Sequence, residues 1–173
     1  AAFLAMSDAR MQVRAQPVTL RALDHAWELL GKDGTWEDWL QCNWPPFESD
    51  AEYGPTLMLV ALGELEDAAK ITAADRRAAE RLTDYLKKNE PQSLHAKAMR
   101  LWAASHWSKA ASAKERRTWR EELLAAQGED GGWSMASLAG PAWKRDGGEA
   151  QTSTSEAYPT AFCVYVLLQT GVK

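Results

Sequence analysis

The chain alternates amphipathic segments with strongly apolar ones, and nearly every periodic stretch has the period of a helix. After Pro17, which suits a first helical turn, Leu20, Leu23, Ala26, Trp27 and Leu30 fall on one face. Gly31 follows where a C-cap is expected. Residues 32–47 read as a long loop carrying Trp36, Trp39, Trp44 and the stiff Trp-Pro-Pro-Phe. Ser49 with Glu52 three residues on fits a capping box that opens the apolar helix TLMLVALG, ended by Gly63. Thr72 with Asp75 opens a charged helix to about Lys88, with Ala79, Leu82 and Tyr85 on its apolar face and Asn89 and Pro91 as stops. Ser93 begins another, striped with Leu94, Ala98, Leu101, Trp102 and Ser105. Ser112 with Glu115 is a further capping box, for a helix through Leu123, Leu124 and Gln127. A Gly/Ser/Thr-rich loop then runs to about residue 153. The last helix starts near Ser155, reads YPTAFCVYVLLQTG and ends at Gly171.

The pattern therefore predicts an all-α fold of six helices, with a partial one at residues 1–13. Strand-like alternation is confined to Val164–Leu167, where the helical surroundings outweigh it. The two apolar helices, 55–63 and 159–171, are predicted to be buried nearly all round.

A length of 173 residues suits one domain that buries roughly 70% of its unfolded surface. Nine tryptophans against three phenylalanines is the unusual count. Trp brings a large apolar area and one N–H donor, so the excess points to turn clamps or an aromatic-lined cavity. The net charge of −4, without a basic block, argues against a nucleic-acid partner. Cys42 and Cys163 show no metal-ligand spacing and read as buried thiols, with a single bridge between them the lesser alternative. No apolar run reaches the roughly 18 residues of a membrane span. The opening AAFLAMSDAR lacks the form of a signal peptide and reads like the end of a helix, so the chain is expected to be a piece of a longer one.

One turn occurs twice. Asp33-Gly34-Thr35-Trp36 matches Asp130-Gly131-Gly132-Trp133, each time after an amphipathic helix and before a long loop. Beyond the loops, Ser49-Asp50…Tyr53-Gly54-Pro55-Thr56 pairs with Ser155-Glu156-Ala157-Tyr158-Pro159-Thr160, and an apolar helix follows. The repeat units span about 17–64 and 112–171, joined by a helical hairpin at 72–108. Duplicated helix pairs mark a solenoid or a closed α/α ring.

The stretch from Leu123 through Gln127-Gly-Glu-Asp130-Gly-Gly-Trp133 resembles the QW motif of the terpenoid-cyclase and prenyltransferase superfamily, the squalene-hopene cyclase-like proteins. SEAYPTAFCVYVLLQTG looks like that superfamily's inner repeat helix, and WPPFESDAEYGPTLMLVALG resembles the matching segment of bacterial squalene-cyclase-like proteins. The likeness covers most of residues 20–173. It implies a partial (α/α) toroid of inner and outer helices, tied by structural QW turns at Trp36, Gln127, Asp130 and Trp133. The Gln would cap a helix end while the Trp ring stacks beside it. The chain has about half the helices of a full ring. The resemblance therefore implies the rest of a precursor, or another protein chain, as the partner that completes it. It also implies an isoprenoid ligand, with or without contact with a membrane surface; the compartment stays open, the periplasm being one candidate.

Cyclases of that superfamily protonate an alkene with the middle Asp of a DxDD motif, which is absent here. Such an acid needs a raised pKa in a dry, aromatic cavity. The nearest acidic cluster, Glu48-Ser49-Asp50-Ala51-Glu52, makes Asp50 and Glu48 the catalytic candidates, and helix N-terminal capping is the plainer reading of the same acids. Trp39, Trp44, Tyr53, Tyr158 and Tyr165 are the candidates for a substrate cavity, against a role as packing. The superfamily's zinc pattern fails at Cys163, where no Asp stands two residues before. His25, His95 and His106 lack the spacing of a site, so no metal or cofactor is expected. Gly131-Gly132 follows a helix, whereas phosphate loops precede one. The best expectation is a segment that handles isoprenoids by cationic cyclisation, and the alternative is a toroid scaffold that has lost its chemistry.

Overall fold

The computed structural model describes residues 1–11, 14–36, 51–68, 71–139 and 154–172. Its helices are α1 (Ala2–Arg10), α2 (Pro17–Glu28), α3 (Tyr53–Ala68), α4 (Ala73–Lys88), α5 (Leu94–His106), α6 (Ala113–Ala125), α7 (Met135–Ala139) and α8 (Ala157–Gln169). A 3-10 turn lies at Ser108–Ala110, and no strand occurs among the described residues. The all-α expectation holds.

The helices form two layers. α1, α3, α5 and α8 lie side by side, each packed on the next. On the outside, α2 packs on α1 and α4, α4 on α3, and α6 on α5. The core is centred on α3, where every residue from Gly54 to Gly63 is buried. Burying Leu57, Leu59, Val60, Leu62 and Leu65 there contributes roughly 1.5–3 kcal/mol each. The outer helices are amphipathic instead: α4 buries Ala78, Ala79, Leu82 and Leu86 and exposes its Arg and Lys residues.

Local sequence sets the starts of α2, α4, α5 and α6. Thr72 and Asp75 close a reciprocal capping box at α4, and Ser112 and Glu115 do the same at α6. The Ser93 hydroxyl accepts from the Ala96 N–H at α5. Pro17 stands at the first position of α2, where its missing N–H costs nothing. At the end of α8, Val172 N–H bonds to Leu167 O and Gly171 N–H to Leu168 O, with Gly171 at φ +79°. That is a Schellman termination, and its left-handed residue is a glycine.

Several expectations are corrected. α3 does not end at Gly63 but runs on to Ala68. A Cβ on Gly63 would lie 2.6 Å from both Cβ and the carbonyl oxygen of His106, so this glycine lets α3 and α5 approach. Gly31 is not the C-cap of α2. That cap is Leu29, and the left-handed residue is Gly34 at φ +92°. α6 stops at Ala125, short of Gln127, with Leu124 exposed, and Ser105 is exposed on α5. α7 was not anticipated within the Gly/Ser/Thr-rich loop. α8 is not buried all round: Pro159, Cys163, Val166 and Leu167 face inward, while Ala157, Tyr158, Ala161, Val164 and Leu168 are exposed. Among the described helices its main packing partner is α5.

Candidate functional site

The repeated turn has the same atomic plan in both copies. Gly31 N–H bonds to Thr35 O and Gly34 N–H to Gly31 O in the first. Gly128 N–H bonds to Gly132 O and Gly131 N–H to Gly128 O in the second. Asp33 accepts from the Thr35 N–H at 3.2 Å, as Asp130 does from the Gly132 N–H at 3.1 Å. Gly34 and Gly131 both have positive φ, as the turn requires.

The tryptophans do the same work in each. α2 and α6 tighten at their ends, where Leu30 N–H bonds to Trp27 O and Gln127 N–H to Leu124 O. Each tightening leaves one carbonyl of the last turn without its usual donor, Ala26 and Leu123 respectively. The Trp36 indole N–H donates to Ala26 O at 3.1 Å, and the Trp133 indole N–H to Leu123 O at 2.7 Å. The expected roles are thus exchanged. Trp caps the helix, whereas the Gln127 amide donates to Gly131 O of its own turn at 2.7 Å.

Each turn also ties its helix to a neighbour. Trp27 stacks on Trp36 at 6.5 Å and donates its indole N–H to Asp75 of α4 at 2.7 Å. In the second copy, Trp133 N–H donates to Thr160 Oγ1 of α8 and Trp133 O accepts from Glu156 N–H. Ser155 Oγ donates to Asp130 at 2.6 Å and, as the largest cause, holds that carboxyl below its ordinary range.

At the end of the buried row where α3, α5 and α8 begin, Arg100 meets Glu52. Its Nε donates to Glu52 Oε2 at 2.8 Å and its Nη1 to Leu86 O at 2.7 Å, with further bonds to Glu52 Oε1 and Asn89 O. Both side chains are buried, and the guanidinium lies 5.9 Å from the Trp119 ring centroid. Close by, fully buried His95 stacks on Phe162 at 4.9 Å, and its Nε2 lies 3.0 Å from the Tyr158 hydroxyl. Burial pushes the His95 pKa down to about 4, so the imidazole is neutral near pH 7. Burial first, with Tyr53 second, raises Tyr158 above the usual phenol range, and burial pushes the Cys163 thiol up to about 12.

At the opposite end, Arg10 of α1 bonds to both carboxylate oxygens of Glu64, at 3.0 and 2.7 Å, and to the Tyr165 hydroxyl at 3.3 Å. Tyr165 meets Trp102 edge-on at 5.4 Å. Phe3, Met6, Ser7, Arg10, Trp102 and Tyr165 line an open groove of roughly 300 Å3 there.

The predicted cavity residues are therefore split. Tyr53 and Tyr158 lie at one end of the row and Tyr165 at the other, two helical turns along α8 from Tyr158. Glu48, Asp50, Trp39, Trp44 and Cys42 lie outside the described residues. Sequence reasoning passed over Arg100, whose partner Glu52 is distant in sequence, and gave His95 no role. A Trp102–Tyr165 pairing was likewise invisible, although both residues fall on apolar stripes. Among the described residues, no cluster of His, Cys, Asp and Glu is arranged to hold a metal, and no helix is long and apolar enough to cross a membrane. No protein-family model, curated protein or solved structure matches the chain.

Proposed function

We propose that the chain is a segment of an (α/α) toroid of the squalene-hopene cyclase type that serves as a scaffold and does not supply a proton donor from its described residues. The observation that carries this reading is the fate of the acids on the buried row. Glu52 is held by Arg100 and Glu64 by Arg10, while Asp8 accepts from Thr19 Oγ1 and Gln16 N–H and is held below its ordinary range. An alkene-protonating acid needs the opposite environment. The toroid reading draws support from the two layers and from the duplicated Trp-capped turns.

The partner in this reading is the rest of a precursor, or another chain, that continues the buried row past α8. The exposed Val164 and Leu168 on that helix are the natural contact. Sedimentation velocity on the protein and on Val164→Glu/Leu168→Glu tests it. Concentration-dependent association that the double substitution abolishes is expected, and a stable lone monomer at high concentration would sink the reading.

One observation favours the alternative, cationic cyclisation of an isoprenoid. The groove beside Phe3, Trp102 and Tyr165 presents aromatic rings of the kind that stabilise a carbocation. In that case the acid would be Asp50 or Glu48.

A further inference from the structure

A second concavity lies between the end of α5, the first turns of α6 and the end of α8. It has a volume of roughly 610 Å3, and three arginines but no carboxylate line it. Arg116, Arg117 and Arg120 share one stripe of α6 with Ala113, at the helical spacings that bring side chains to one side. Like charges on adjacent turns repel. In a chain of net charge −4, their convergence is not a by-product of basic composition.

The charges are also poorly neutralised. The Arg116 and Arg117 side chains make no hydrogen bond or ion pair among the described residues. Glu115 and Glu121 stand on the same helix, yet neither lines the cleft, and Glu115 is turned back to the Ser112 N–H at 2.7 Å. Arg120 alone is engaged, donating to Thr170 O at the end of α8 at 3.3 Å. That bond fixes its guanidinium across the cleft. The carbonyls at the ends of α5 and α8 form electronegative edges and would turn an anion toward the α6 wall. The Ser108 hydroxyl, on the opposite wall, is a further donor.

We propose that this cleft binds a phosphate-class oxyanion, gripped by Arg116 and Arg117 and flanked by Arg120 and Ser108. Guanidinium forks match phosphate oxygens two bonds at a time. The volume falls within the range of small-molecule pockets, which suits a phosphate ester or a polyphosphate. A soluble phosphorylated compound and an anionic phospholipid head group present the same chemistry. The proposal stands independently of the toroid reading.

Calorimetric titration with inorganic pyrophosphate at low salt, and flotation with phosphatidylcholine vesicles with or without phosphatidic acid, test it and separate the two sources. Binding of pyrophosphate, of phosphatidic-acid vesicles, or of both is expected. It should weaken at least tenfold in Arg116→Ala/Arg117→Ala, corresponding to roughly 1.4 kcal/mol or more. Arg116→Lys/Arg117→Lys should retain part of it, and added salt should reduce it. Pyrophosphate binding alone assigns a soluble ligand, and vesicle binding alone assigns the head group. Arg117→Glu, at an exposed position, provides a second variant that leaves the core untouched. Failure of both probes to bind, or binding unchanged in the double Ala variant and in Arg117→Glu, would overturn the proposal.

Discussion

The Trp133 indole N–H reaches the Leu123 carbonyl at 2.7 Å, ten residues upstream, and so closes the helix that the turn has just left. Trp36 stands in the same relation to Ala26 at the same separation. Trp133→Phe keeps most of the buried area but leaves the Leu123 carbonyl without a donor. The expected loss is about 1–3 kcal/mol by chemical denaturation. Trp36→Phe should cost less, because Trp36 is only half-buried. Equal stability of Trp133→Phe and the parent would remove the capping role.

Gly63→Ala separates packing from helix propensity. Propensity alone favours Ala in a helix interior by about 1 kcal/mol. The new methyl would press on the His106 backbone at 2.6 Å, and such overpacking costs about 1–3 kcal/mol. A net destabilisation is expected on thermal unfolding, and a rise in Tm would contradict the close approach of α3 and α5.

Arg100→Met removes the guanidinium from the buried Glu52 carboxylate and takes away the donor to Leu86 O and Asn89 O. Breaking a buried pair from one side costs about 3–5 kcal/mol. Glu52→Leu/Arg100→Met should recover part of that loss, since both charges of the buried pair are then removed together. Strictly additive single and double substitutions in denaturant would refute the coupling.

His95 makes stability depend on pH. Its folded pKa of about 4 lies below the ordinary value of 6.5, so the unfolded chain binds the proton more readily in between. Stability from this group is fully present above about 6.5 and is lost as pH falls toward 4. The full effect is roughly 3 kcal/mol. In His95→Phe, unfolding followed from pH 7 to 4 should show a flatter profile than the parent. Parallel profiles would mean that His95 is not held neutral by burial.

How much of this was legible in the sequence depends on the range of the cause. The capping boxes at Thr72 and Ser112 are local chemistry, complete within four residues, and they read correctly. The duplicated turn was legible as a clamp. Its capping atom was not, because the family resemblance assigned that work to Gln127. The signal was present in the equal distance of Trp36 and Trp133 from the preceding helices. Gly63 was misread as a stop because its reason is His106, on another helix. α8 was misread as buried all round because apolar composition does not say how many neighbours a helix has. Glu52 looked like part of an acidic cluster, and only the fold brings it to Arg100. The proposed catalytic pair, Asp50 and Glu48, lies outside the described residues, whereas Asp8, Glu52 and Glu64 on the buried row are already engaged.

The proposal of a scaffold, with no proton donor among its described residues, is tested most directly by product analysis. The protein and its Asp50→Asn variant are incubated with squalene and with shorter polyprenols, and the extracts are separated by gas chromatography with mass detection. The account predicts no cyclic product from either. A cyclised product from the parent that disappears in Asp50→Asn would contradict it and establish the cyclase reading in its place.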